Sequence, residues 1–137
     1  MRLSWTERQR VVSGRAGQRC EYCRMHQDLQ GAVFHVEHIL PVSGGGTDEF
    51  DNLAWACPGC NLTKATRNSV LDPVSGQGVR LFHPRQDQWA DHFAWQRYQL
   101  VGLTPIGRAL VTAFNLNHER RVRIRQVEAR FGLFPPQ

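Results

Sequence analysis

Cys20-Glu21-Tyr22-Cys23 and Cys57-Pro58-Gly59-Cys60 bracket two apolar stretches, Val33-Phe34-His35-Val36-Glu37-His38-Ile39-Leu40 and Asn52-Leu53-Ala54-Trp55-Ala56. The first stretch is rich in β-branched and apolar residues and stops at Pro41, so it is expected to be a strand. Ser43-Gly44-Gly45-Gly46-Thr47-Asp48 is a flexible loop, and residues 52–56 form the returning strand. After the second cysteine pair, Asn61 is placed to cap a short helix that contains Lys64. Strand, loop, strand and helix follow one another within a short span, which makes a compact local unit.

The two C-x-x-C pairs are expected to bind zinc. The N-terminus has charges but no following apolar h-region, so it does not read as a secretory signal. The thiols of an intracellular chain stay reduced, which argues against a disulfide framework. Four thiolates in two close pairs match the all-sulfur tetrahedron of a structural zinc site, leaving no open position for water. A redox C-x-x-C is the rival, but a redox protein needs only one such pair, usually opening a helix. Arg19, beside Cys20, is placed to offset part of the negative charge of such a site.

Charge along the chain is uneven. Residues 1–19 carry five Arg against Glu7, residues 20–95 carry five basic against nine acidic groups, and residues 96–137 carry seven Arg against Glu119 and Glu128. An acidic middle between basic arms suits a cation-binding centre flanked by phosphate-binding surfaces, although solvated Arg-rich helices have the same signature. No apolar run approaches the ~20 residues that span a bilayer, so a cytoplasmic protein without a membrane partner is expected.

Outside the bracketed segment, Ser4-Trp5-Thr6-Glu7 has the form of a capping box opening a helix to about Arg15, with Gly17 as its stop. Asp72-Pro73 and Ser75-Gly76 mark turns. Phe82, Trp89, Phe93 and Trp95 supply core bulk around a helix predicted over 87–98. Thr104-Pro105 opens another helix, Asn115-Leu116-Asn117 breaks it, and residues 119–131 form an Arg-rich helix. On that helix Ile124, Val127 and Phe131 share one face, with Arg120, Arg123 and Arg130 around the cylinder as candidate phosphate contacts.

Taken in order, Cys20-x-x-Cys23, Glu37-His38-Ile39, Asp51-Asn52-Leu53 and Cys57-x-x-Cys60-Asn61-x-x-Lys64 resemble the HNH endonucleases in their HNN variant, over about the first half of the chain. Residues 81–93 also look like an extension found in some bacterial members, and no role is assigned there to His83 or His92. The resemblance implies an α+β fold: a small ββα-metal core with two zinc knuckles, flanked by N- and C-terminal helices. The corresponding parts are a basic helix over 1–19, the zinc-stapled core over 20–70 and a helical extension over 71–137, together one domain.

The implied activity is metal-dependent hydrolysis of DNA, leaving 5′-phosphate and 3′-hydroxyl ends. His38 would deprotonate water, Glu37 and Asn61 would bind the catalytic ion, Asn52 would fix the loop and orient His38, and Lys64 would contact phosphate. The chemistry supports those roles independently. An imidazole titrates near neutral pH and serves as a general base when held in one tautomer. Carboxylate and amide oxygens suit a hard cation such as Mg²⁺ or Mn²⁺. The family more often has Asp at the position of Glu37, and the longer side chain moves the carboxylate by one methylene. Adjacent strand residues point to opposite faces, so Glu37 and His38 can share a site only where the strand ends, twists or bulges. The alternative function is a zinc-stapled nucleic-acid-binding module that does not cut.

Overall fold

Ser4 starts the first helix, α1 (Trp5–Arg15), as its capping pattern predicts: its hydroxyl accepts from the Glu7 amide at 3.1 Å and Glu7 accepts from the Ser4 amide at 2.7 Å. The computed structural model describes residues 2–136 and divides the chain into two compact units, Met1–Thr66 and Arg67–Gln137. The described residues form five α-helices and three two-stranded antiparallel sheets, an α+β arrangement. None of the helices is long and apolar enough to cross a membrane.

In the first unit, β1 (His35–His38) pairs antiparallel with β2 (Leu53–Ala56), placing Glu37 opposite Ala54 and His38 opposite Leu53. The strand expected over 33–40 is thus shorter and ends on His38. β2 is buried along its whole length, as its unbroken apolar run requires. Two basic residues of α1 bond the loop that joins the strands and the start of β2. Arg8 donates to the carbonyl of Asp48, and Arg15 donates to the carbonyls of Phe50, at 2.8 Å, and Leu53. Both guanidinium groups also lie over the Phe50 ring.

Helix α2 (Pro58–Lys64) follows β2 directly. Its N-cap is Cys57, not Asn61: Pro58, which lacks an N–H, occupies the first turn, and the Cys57 sulfur accepts from the Cys60 amide at 3.4 Å. Asn61 therefore sits one turn inside the helix, three residues before Lys64 and on the same side.

The second unit contains the hairpin of β3 (Ser69–Leu71) and β4 (Gly78–Arg80), which turns at Asp72 as expected. The helix predicted over 87–98 is not formed. Only α3 (Trp89–His92) is helical, and β5 (Phe93–Gln96) then pairs with β6 (Gln99–Gly102) through a two-residue turn. The turn decides this, because Arg97 takes a left-handed backbone (φ +54°) that a helix cannot continue through and that lets β5 fold back on β6, with Phe93 and Leu100 buried. Helix α4 (Pro105–Ala113) is capped by Thr104, whose hydroxyl accepts from Gly107 at 3.1 Å. Gly107 has no alternative there, since a Cβ would stand 2.1 Å from the His92 carbonyl oxygen.

After the break at Asn115 (φ +51°), α5 (Glu119–Arg130) buries Arg125 and Glu128, whereas Val127 and Phe131 are exposed. The expected apolar stripe is therefore not the face that packs. Arg125 is the better fit because the carbonyls of Tyr98 and Leu116 receive its guanidinium.

Candidate active site

The four cysteines converge. All are buried, and their sulfur atoms lie within 4.8 Å of one another, with Cys23 Sγ and Cys57 Sγ 3.8 Å apart. A tetrahedral zinc–thiolate site with bonds of about 2.3 Å has sulfur–sulfur edges of about 3.8 Å, so the residues present fit that ion. Each pair forms a knuckle in which the second cysteine's amide points at the first one's sulfur, at 3.5 Å for Cys20 and 3.4 Å for Cys57. Hydrogen bonds from the other three thiols hold Cys57 far below the ordinary thiol range, while burial pushes Cys20 up. A four-sulfur cluster of this kind supports a structural zinc. Arg19 reaches across the first knuckle to the Arg24 carbonyl at 3.0 Å. Glu21 stitches that knuckle to the edge of β2, accepting from the Trp55 amide at 2.7 Å and donating its own amide to the Trp55 carbonyl at 2.8 Å.

Glu37 points into the protein at 6% exposure. The Tyr22 hydroxyl donates to its carboxylate at 2.7 Å, and the fully buried ammonium of Lys64 is ion-paired with its other oxygen. Burial raises the Glu37 carboxyl above its ordinary range despite the opposing pull of Lys64 and Tyr22. Burial, and then the charge of Glu37, keep Tyr22 protonated far above its ordinary value, so it remains a donor. Lys64 also donates to the His38 carbonyl at 3.2 Å, tying α2 to the end of β1. The phosphate contact expected of Lys64 thus meets a side chain that is buried and already committed to Glu37.

His38 has a separate set of partners. Its Nε2 lies 2.8 Å from Asp48 Oδ1, and its ring stacks on Trp5 of α1 with centroids 6.1 Å apart and planes 17° from parallel. The imidazole lowers the Asp48 carboxyl below its ordinary range. Asn52 clamps the loop that carries Asp48. It accepts from the Leu40 amide at 2.8 Å and donates to the carbonyls of Leu40 and Thr47 at 3.1 and 2.9 Å. Gly46 lets that loop close, because a Cβ there would lie 1.8 Å from the Leu40 carbonyl oxygen. The Asn52 side chain thus ties Leu40, two residues past His38, to Thr47, the neighbour of Asp48, and no hydrogen bond joins it to the His38 ring.

Helix α2 carries Asn61 on the side that brings Lys64 to Glu37. Arg120, Arg123 and Arg130 are exposed on α5 in the other unit, with Arg123 ion-paired to Glu119 one turn away. Three contributors were not legible as site residues. Tyr22 passes for a spacer between cysteines, Trp5 for a helix-opening apolar residue, and Asp48 for one acid among several in a glycine loop. Only the position of Asp48, ten residues past His38 and just before the Asn52 clamp, offers a signal.

Residues 20–67 match the family model described as HNH endonuclease. No curated protein and no solved structure matches the chain. The matched segment spans both knuckles, β1, β2 and α2, and it points to a nuclease or nucleic-acid-binding role.

Proposed function

We propose, taking the match of residues 20–67 to the HNH endonuclease family as premise, that this protein is a metal-dependent endonuclease that hydrolyses DNA phosphodiester bonds with His38 as general base. The observation that carries the reading is the arrangement at the end of β1, where Asp48 holds His38 Nε2 at 2.8 Å. A carboxylate there keeps the proton on Nε2 and leaves the Nδ1 lone pair to accept a proton from water. Trp5 and the Asn52 clamp hold the ring and the carboxylate in that relation.

Glu37 and Asn61 are the residues that would hold a hard divalent ion such as Mg²⁺ or Mn²⁺, and the ion would supply charge stabilisation for the phosphoryl oxygens. Their oxygens form the donor set that such an ion prefers. Lys64 then acts as a positioning residue, balancing the buried Glu37 carboxylate. The four cysteines hold a structural zinc that fixes the register of both knuckles with β2 and α2. Arg120, Arg123 and Arg130 are proposed phosphate contacts, and DNA is the proposed partner.

One observation favours the second reading, a zinc-stapled module that binds nucleic acid without cutting: Glu37 is already ion-paired with Lys64 and accepts from Tyr22. Incubation with supercoiled plasmid in Mg²⁺ or Mn²⁺, beside chelator and His38→Ala, separates the two. Nicking by wild type with metal, reduced about 10²- to 10⁴-fold in His38→Ala, is the expected result. Plasmid binding without conversion under any metal overturns the nuclease in favour of the binding module.

A further inference from the structure

The second unit holds an open cavity of about 560 Å³ lined by Trp95, Arg97, Tyr98, Ala129, Phe134 and Pro135. Its size falls within the ~300–1,000 Å³ range of small-ligand sites. Its walls are unusual in chemistry: the lining is aromatic and cationic, with no leucine, isoleucine or valine. Phe134 packs edge-on to Trp95 with centroids 4.9 Å apart, and lies 5.3 Å from Tyr98.

The rings are held from behind by polar side chains. Arg125 is fully buried, places its guanidinium over the Trp95 ring at 5.1 Å, and donates to the Tyr98 carbonyl at 2.9 Å. Asn117 clamps the adjoining β6 by accepting from and donating to Leu100 at 2.7 and 2.8 Å. Such bracing preorganises a site, because little ordering remains to be done on binding.

Arg97 is the informative residue. It opens the two-residue β5–β6 turn with φ +54°, a left-handed position that tight hairpins give to glycine or asparagine. A long cationic side chain is kept there at a conformational cost, and it stands exposed on the cavity rim without an ion-pair partner among the described residues. The surroundings share its sign, since residues 67–137 contain ten arginines against five acidic residues. An aromatic cleft with an unpaired cation at its mouth suits a planar ring attached to an anion. Aliphatic chains gain nothing specific from such walls, and acidic peptides lack the ring.

We infer that this cavity binds an unpaired base of single-stranded nucleic acid, stacking it on Tyr98 and Phe134 while Arg97 meets the flanking phosphate. Base–aromatic stacking tolerates any sequence, so the site would favour unpaired strands without choosing among them. The inference shares only its ligand class with the nuclease reading and does not depend on cleavage.

The test is binding of a labelled oligothymidylate by the full-length His38→Ala protein without added Mg²⁺, measured by anisotropy beside a duplex of equal length. Tyr98→Ala and Phe134→Ala should each weaken single-strand binding about tenfold and leave duplex binding nearly unchanged. Arg97→Gly guards against misfolding, because glycine suits the turn: it should melt no lower than the parent, yet bind less tightly and lose about 0.7 from the salt slope. Unchanged oligothymidylate affinity in all three variants overturns the site. Equal losses on duplex and single strand overturn it as well. Plasmid nicking by the same substitutions in an otherwise wild-type background reads the nuclease separately, so either proposal can fail alone.

Discussion

In residues 67–136, two-pronged ion pairs close chain turns. Arg108 binds Asp72 through two hydrogen bonds at 3.0 and 2.9 Å, fastening α4 to the β3–β4 turn, and Arg80 holds Asp87 in the same two-pronged way. Residues 2–66 use charge differently, burying Glu37, Lys64 and the four thiols around one short hairpin and its helix. Each pair in the second unit has one evident geometric task, and either partner's charge is cancelled in place. The first unit instead concentrates groups whose charges are only partly cancelled, at the end of a strand that also carries His38. The contrast teaches that a buried ion pair alone says little about function. What separates the two regions is whether the pair leaves a reactive side chain beside it.

The largest effect that could break this comparison comes from the thiol cluster. If the sulfurs hold zinc, the ion should contribute most of the folding free energy of the first unit, as in small zinc domains where binding is worth about 10–16 kcal/mol. Cys57→Ser or a strong chelator should therefore abolish amide protection across 20–64 while amides of β5, β6 and α4 stay protected. Hydrogen exchange followed by mass spectrometry reads this directly, together with metal content of one zinc per chain. Retained protection in a metal-free protein would show that the apolar contacts of β2 suffice without the ion.

The ββα frame and the zinc cluster were legible in the sequence because both are local: fixed cysteine spacing, a β-branched apolar run stopped by Pro41, and a short helix placed directly after the second cysteine pair, although its cap is Cys57 and not Asn61. Local cues also exposed the caps at Ser4 and Thr104. What escaped depends on contacts distant in sequence. Trp5 reaches His38, and Tyr22 reaches Glu37, only after the chain has folded back. The β5–β6 hairpin was masked because Trp89 and Phe93, four residues apart, imitate one face of a helix. Arg125 and Glu128 went unnoticed as buried residues because hydropathy ranks them last for that place, and the carbonyls that compensate Arg125 lie on other elements. Lys64 shows the same blindness: a lone lysine beside a presumed active site reads as a phosphate ligand until Glu37 is seen to hold it.

The next effect concerns that pair. Lys64→Met should destabilise the first unit by about 3–5 kcal/mol, because it strands a buried carboxylate without its counter-charge. Adding Glu37→Gln to Lys64→Met should recover much of the loss, since a neutral amide of the same shape needs no ammonium. Denaturant unfolding in the presence of zinc measures both. If Lys64→Met is harmless, the ammonium has no structural task, and the contrast between the two units narrows.

The smallest effect is a pH dependence in the second unit. Arg108 holds Asp72 far below its ordinary range, helped by the hydroxyl and amide of Ser75 and the amide of Val74. A carboxylate whose folded value lies below its unfolded value stabilises the fold above the ordinary aspartate range, near ~3.9. That stability fades as pH falls through the range toward the depressed folded value, because the unfolded chain takes up the proton first. The melting temperature of the second unit should therefore drop below about pH 4, and Asp72→Asn should start lower at neutral pH and lose this part of the acid dependence. Arg108→Met should flatten the same limb, since it removes the cation that depresses Asp72. A wild-type acid limb that persists unchanged in Asp72→Asn would assign it to Asp87, the other carboxylate of the unit held low by an arginine, and would move the stabilising lock from the β3–β4 turn to the segment before α3.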